Sequence, residues 1–445
     1  VADKKMILGM TLNSGYGNIS GAWRAPQVDE DNYTNIESNI RYAQAAERGG
    51  FAFLFTPDFA AVGGGVEFSG IQNIMEPMLA LAAISQATSR IGLIATGSTT
   101  FQEPFNTARQ FKALDVMSHG RAGWNAVTTS DPMVSANYGR PVADRSERYQ
   151  RADEAIQIVQ ALWGSWEKDA WIKDQTSGRF LDASKVRPIN LQGEHVASRG
   201  PLPIPPSEQG QPVIFASGGP SPHLLALAGR YASGFIAEVW TIEEARAQRQ
   251  MVRDAAERAG RNPDEIKYIA GLMTTVAPTI RAGLDRRLAL SGDVIEARLP
   301  HVGALLGLQI DPSRYDEPLT QTQLAAAHAS PMDPRSGIVL KVAREGWSPR
   351  DILAHGVIDF HPTTVGPAEV HADHLQEWLE AGAADGFWVS PDIYEDGVDA
   401  FVDEVVPELR RRGIFPEEYA GSTLRENLGV PAQYGLDTRV AGGTS

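Results

Sequence analysis

Four stretches of this chain set polar groups where an apolar run ends. Asp58 closes FAFLFTPD (51–58), Thr96 to Thr100 close IGLIATGSTT (91–100), and Asn125 to Asp131 close RAGWNAVTTSD (121–131). The fourth is SGGPSP (217–222), which follows PVIFASG and feeds the helix-like HLLALAGRYA. Buried without partners, such groups are costly. They are therefore either capped by nearby backbone or turned toward a ligand. A Gly/Ser turn at a helix start presents backbone N–H groups and the positive end of the helix dipole to an anion, although a plain Gly-Pro turn has the same composition. Just after the third stretch, RSERYQRADE (145–154) adds Arg145, Arg148 and Tyr149, a set of cations and a phenol that could complete a phosphate site. The bland alternatives are a strand whose hydroxyls are satisfied locally and an Asp58 that merely N-caps the next segment.

Other chemistries find little support. The chain has no cysteine, which excludes disulfides, thiolate nucleophiles and Cys-ligated metals. Its nine histidines are scattered, and none has zinc-protease spacing; His371 and His374, at i and i+3, read as lying on a solvated helix, so no metal site is expected. No nucleophile elbow, Walker A loop or Rossmann glycine fingerprint occurs, and no catalytic side chain is assigned. Trp124, Trp240 and Trp388 fall in expected strands, where core packing is the usual role; a planar aromatic ligand would use the same surfaces.

The elements that must position these groups are eight β-rich runs, at 6–12, 51–57, 91–99, 122–129, 212–218, 234–240, 266–276 and 386–391. Between them lie amphipathic segments such as NYTNIESNIRYAQAAERGG and AEVHADHLQEWLEAGAADG, apolar at three- and four-residue spacing and ending at Gly. Eightfold β/α alternation reads as an α/β fold, a (β/α)8 TIM barrel, with a doubly wound open sheet as runner-up. In a barrel the site sits at the C-terminal strand ends, where the four polar stretches converge. The whole chain, 1–445, reads as one barrel domain with insertions at about 164–211 and 278–365, expected to be its least regular parts and candidate lids. The tail from about 417 to 445 is expected to pack on the surface or on a neighbouring subunit. The formal net charge of -15 and the lack of a basic run speak against nucleic acid. No run approaches the ~20 apolar residues of a membrane span and no signal-peptide pattern is visible, so a cytoplasmic location is expected.

Quoted in order, GAWR (21–24), FLFTPD (53–58), ARQFKALDVMSHGRAGWNAVTTS (108–130), NYGR with ERYQRADE, GEHVASRGPLPIPPSEQGQPVIFASGGPSP, AGAADGFWVSP and EYAGSTLRENLG span nearly the whole chain. Together they resemble the flavin-dependent monooxygenases of the bacterial luciferase-like superfamily, in the class of nitrilotriacetate monooxygenase, pristinamycin synthase and dibenzothiophene sulfone monooxygenase. The resemblance implies an interrupted (β/α)8 barrel. It further implies that reduced FMN comes from a separate NAD(P)H-dependent flavin reductase, that O2 is the co-substrate, and that a small organic molecule is oxygenated through a flavin hydroperoxide. It implies a homo-oligomer, dimer or tetramer. By motif position, Asp58 and Thr96 resemble contacts to the isoalloxazine and ribityl region, Arg145 and Tyr149 the phosphate-side pair, and Ser221 with Gly219 the phosphate-binding turn. Asn125 and Thr129 resemble flavin-edge contacts.

The chain departs from its sulfone-oxidising relatives where they carry His before GAWR; here the segment reads LNSGYGNIS. Arg145 stands where relatives often have His, which keeps a positive charge at every physiological pH. The resemblance thus supports FMN and leaves the substrate open. A deazaflavin-dependent oxidoreductase on the same barrel and a non-catalytic flavin-binding protein are the alternative readings.

Overall fold

Successive strand residues face opposite sides, and in a closed sheet one side becomes the barrel interior and the other meets the helices. The structure, a computed structural model, describes residues 5–12, 15–64, 66–69 and 75–436. Its barrel strands are β1 (Ile7–Thr11), β2 (Phe53–Thr56), β3 (Gly92–Ser98), β4 (Ala122–Val127), β5 (Val213–Gly218), β6 (Gly234–Ala237), β7 (Lys267–Val276) and β8 (Gly386–Pro391). Every neighbouring pair is parallel, and β8 closes the ring by pairing with both β7 and β1. The eight expected runs are these eight strands, and the closed ring excludes the open sheet.

Phe53, Phe55, Ile94, Val213, Phe215, Ile236, Ile269 and Trp388 meet in one interior cluster. Their strand neighbours, among them Leu54, Leu93, Trp124 and Ile214, belong to the layer between strands and helices. The phenylalanines need room across the ring: a Cβ on Gly9 would come within 2.1 Å of the Phe53 ring, and one on Gly234 within 2.1 Å of Phe215. The surrounding helices include α1 (Ile36–Arg48), α2 (Pro77–Ser85), α3 (Pro104–Met117), α4 (Arg145–Trp163), α5 (Pro222–Tyr231), α6 (Ile242–Arg258), α7 (Ile280–Leu306) and α8 (Ala368–Glu380). Among the described residues, no helix is long and apolar enough to cross a membrane.

The two insertions differ in kind. Residues 164–211 hold a short antiparallel pair, Leu191–Gln192 with Ala197–Ser198, a single 3-10 turn, and isolated antiparallel bridges such as Trp166 with Val186 and Asp174 with Arg179. Glu154 ties this segment to α4 by accepting from the backbone N–H of Glu194, His195 and Val196 at 2.9, 2.8 and 3.1 Å. Residues 278–365, expected to be irregular, are instead largely helical. They contain α7, further helices Gln321–Ala326, Ser336–Arg344 and Pro349–Ala354, and an apolar cluster of their own that includes Leu299, Leu306, Val339 and Ile352. They end in a ninth strand, Thr363–Gly366, paired with the far half of β7. The tail also differs from expectation. Its helix Leu424–Leu428 sends Leu424 and Leu428, followed by Val430, into the barrel's interior cluster instead of lying on the surface. Residues 437–445 of the tail, and Asn13 and Ser14 in the segment before GAWR, lie outside the described residues.

Candidate active site

Three cavities open where the strands end, and they share walls. One of about 360 Å³ is lined by Asp58, Thr96, Asn125, Thr129, Phe101 and Tyr138. A second, of about 700 Å³, is lined by Arg145, Arg148, Tyr149, Gly219 and Ser221. The third, about 550 Å³, lies under α7 and is bordered by Trp388, Ser390, His361 and Arg287. Ser217 borders all three; Val127, Thr128 and Ser130 separate the first from the second, and Phe55 and Pro57 the first from the third. The eight sequence-predicted residues therefore fall into two adjoining groups of four.

In the first group, Thr96 and Asn125 are register partners on β3 and β4. Asn125 Nδ2 donates to Thr96 Oγ1 at 3.0 Å, which leaves Asn125 Oδ1 buried with no donor. Thr129 Oγ1 donates to Ser98 Oγ at 2.8 Å, and its carbonyl accepts from Thr100 Oγ1 at 3.3 Å. Thr129 is thus capped locally, whereas Asn125 presents an unmatched acceptor. Asp58 lies in a non-helical rim segment and caps no helix; partial burial and, after it, the charge of Glu76 raise its carboxyl above the usual carboxylate range. Phe101 and Tyr138 stack flat, with centroids 4.4 Å apart, on the outer side. Trp124 points the other way, into the helix layer, where it packs on Phe111 and Trp163 while Nε1 donates to the Gly97 carbonyl at 3.1 Å.

The second group is built on two helix starts. Ser221 is the N-cap of α5, its Oγ accepting from Leu224 N–H at 3.3 Å, with Pro222 as the first helical residue. The turn before it needs glycine at 218, where φ is +128°, and a Cβ at Gly219 would meet nothing within 4 Å. Arg145 opens α4, so Arg145, Arg148 and Tyr149 come from its first turns. Arg148 donates to the Ala143 carbonyl and keeps a buried Nε with no acceptor. The Arg145 guanidinium lies 5.9 Å from the Tyr149 ring, which stacks on His223 at 5.2 Å. Two helix N-termini and two arginines border one hollow, a geometry whose electrostatics suit an anion.

Sequence reasoning counted Ser217 only as the head of SGGPSP, without a role of its own, and missed His223 and the third cavity. The role of Ser217 could have been found, since it continues the inward series Val213, Phe215 on β5. The third cavity could not, because to the strand ends it adds walls from α7 and from the segment before the ninth strand, both within the insertion expected to be irregular. Two other expectations are corrected. His371 is fully buried, its Nε2 donating to the Gly366 carbonyl at 3.0 Å and its Nδ1 accepting from Thr364 Oγ1 at 2.6 Å; His374 packs between Trp378 and Phe387. The face of α8 that carries them packs on the barrel, so it is not solvated. Trp240 follows β6 instead of lying in it, because that strand ends at Ala237. Among the described residues, no group of three or more His, Asp or Glu side chains is placed to hold a metal.

An anion cradle, a slot with an unmatched acceptor and a roofed chamber suit a cofactor that carries the reaction itself. The family described as luciferase-like monooxygenase matches residues 20–385. The chain is 36% identical to N-acetyl-S-(2-succino)cysteine monooxygenase of Bacillus subtilis over 436 residues, 96% of this chain and 97% of that one. It is 34% identical to nitrilotriacetate monooxygenase component A of Aminobacter aminovorans, covering 96% of this chain and 97% of that one. Its structure resembles EDTA monooxygenase from Chelativorans sp. BNC1 with a TM-score of 0.81 and 29% identity, over 97% of this chain and 100% of that one.

Proposed function

The chain belongs to the luciferase-like monooxygenase family, and on that premise we propose that it is the oxygenating component of a two-component system. It takes reduced FMN from a separate NAD(P)H-dependent reductase and, with O2, oxygenates a small organic molecule through a flavin hydroperoxide. A relative named as a component A supports the division of labour. Relatives acting on molecules as different as N-acetyl-S-(2-succino)cysteine and nitrilotriacetate leave the substrate to be read from the pocket.

The observation that carries this reading is the order of the three cavities about Ser217: anion cradle, slot, roofed chamber. Ser221, whose oxygen accepts from Leu224 N–H, keeps its own O–H to donate to a phosphate; Arg145 and Tyr149 flank it, and the open space at Gly219 lets backbone N–H groups approach. Asn125 fits the same group, because its buried Oδ1 lacks the donor that a flavin ring N–H would supply. Thr96 fixes that amide, while Asp58 and Thr129 border the slot. Bound there, reduced flavin supplies the electrons for O2 activation, so the protein's tasks are binding, orientation and exclusion of water.

The test is anaerobic titration with reduced FMN followed by mixing with O2. Saturable binding and an oxygen-dependent spectral intermediate are expected. Absence of reduced-FMN binding would sink the reading, and binding with no oxygen chemistry would leave only a flavin carrier.

A further inference from the structure

The third cavity holds more hydrogen-bond donors than its protein surroundings satisfy. Trp388 and Ser390 lie two residues apart on β8 and so share its inner face. Neither Trp388 Nε1 nor Ser390 Oγ has a partner, and both atoms are buried. Arg287, 4% exposed, gives one nitrogen to Asp359 and another to Thr275 Oγ1 at 3.4 Å, while its Nε finds no acceptor. The His361 imidazole, on a residue 3% exposed, stands edge-on to Trp388 with centroids 4.6 Å apart, and its Nδ1 is likewise unpartnered. Burial lowers this imidazole to about 4, so near neutrality it offers one N–H and one lone pair. Among the buried unpartnered atoms of the lining, Asn18 Oδ1 stands against these donors as an acceptor, its amide nitrogen spent on the Ser390 carbonyl; the Asp359 carboxylate is taken by Arg287, and the exposed Glu238 carboxylate lies on the same wall.

The space for this arrangement is written into the sequence at Gly271. A Cβ there would come within 2.6 Å of both His361 Nδ1 and the Trp388 ring. Any side chain on this inward position of β7 would displace both. The roof is mixed: Arg287, Ser291 and Arg298 of α7 line it, and between them Val294 and Ile295, with Leu353 and Ile358 beyond, form an apolar patch.

Indole N–H and the arginine N–H groups can only donate, and a buried donor left unmatched costs about 1 to 3 kcal/mol. We propose that this cavity is the substrate subsite, and that its substrate is a small amphiphile placing a hydrogen-bond acceptor, a carboxylate, carbonyl or oxidised-sulfur oxygen, against Trp388, Ser390, His361 and Arg287, with a short apolar body under α7. A bare hydrocarbon leaves those donors unmatched and is excluded. The proposal rests on the flavin reading only in calling the occupant a substrate; the donor preference is a property of the cavity.

The experiment is ligand-observed NMR on the full chain, with and without reduced FMN under anaerobic conditions, using benzoate, acetophenone and benzene as probes of one ring size. Benzoate or acetophenone is expected to bind at millimolar concentration and benzene not to compete. Trp388→Phe and Ser390→Ala are each expected to weaken the acceptor-bearing probe about tenfold, the effect of losing one buried hydrogen bond. The FMN affinity of each variant, read in parallel, detects a misfolded protein. The proposal is overturned if benzene binds as well as benzoate, if neither acceptor-bearing probe binds, or if both variants bind the probes like the parent. Failure of the parent chain to bind FMN while the probe preference holds would overturn the cofactor reading and leave the donor subsite standing.

Discussion

Asn125 and its neighbour Trp124 show how one residue step divides the lining of a cavity from packing. On a strand they face opposite sides, and the structure gives Asn125 an unmatched acceptor in the slot and Trp124 a satisfied N–H in the helix layer. Trp124→Phe is therefore expected to leave FMN affinity within experimental error while lowering unfolding stability by about 1 to 3 kcal/mol, the effect of a shrunken core side chain that also strands the Gly97 carbonyl. A large loss of FMN affinity in a folded variant would put Trp124 at the cofactor after all. For Ser221→Ala and Arg145→Ala the expectation is reversed: isothermal titration should show FMN weakened by about 1 to 3 kcal/mol each, as for a lost charge-assisted hydrogen bond. Equal affinity in both variants would displace the phosphate from this hollow. The polar cluster at 125–131 was legible in the sequence, but which members were capped was not. Thr129 finds its partner in Ser98, which a fold brings close across 31 residues.

At the level of elements, all eight strands were readable, since each is a short apolar run bounded by turn residues. The second insertion was not, because its apolar residues are interrupted by Gly292 and Pro300, and Ser291 breaks helical geometry midway along α7. Beyond that kink, Arg298 approaches Asp359 at 3.7 Å; before it, the buried Arg287 also donates to Asp359, and Trp240 Nε1 donates to the Asp359 carbonyl at 3.3 Å. One carboxylate thus fastens the roof helix to the chamber rim on both sides of its kink. Removing the partner of a buried charge is expensive, by about 3 to 5 kcal/mol. Asp359→Ala should lower the melting temperature clearly and make residues 278–365 the first site of limited proteolysis. A variant that melts with the parent and is cleaved elsewhere would show that the apolar cluster alone holds this roof.

For the molecule as a whole, four buried histidines, among them the misread His371 and His374, set an acid limit on stability. His355, His361, His371 and His374 are each lowered to about 4, in every case chiefly by burial, against 6.5 for an unhindered imidazole. The sequence hid this because Asp373, Gln376 and Glu377 give α8 one charged face, and only the packed barrel shows that its other face is enclosed. Between pH 6.5 and 4 the unfolded chain binds protons that the folded chain does not, so stability rises with pH across that window. The contribution is fully present above about pH 6.5 and is lost progressively as the pH falls toward 4, at up to about 1.4 kcal/mol per pH unit for each histidine. His374 has Trp378 and Phe387 as neighbours and no partner for Nε2, so His374→Phe substitutes a ring of similar shape without stranding a bond. Urea unfolding measured across this window should give the variant a shallower pH slope than the parent, by as much as one proton, and a smaller stability gap in acid than at pH 7. Parallel slopes for parent and variant would mean that His374 titrates alike in both states, and that its burial does not hold it neutral.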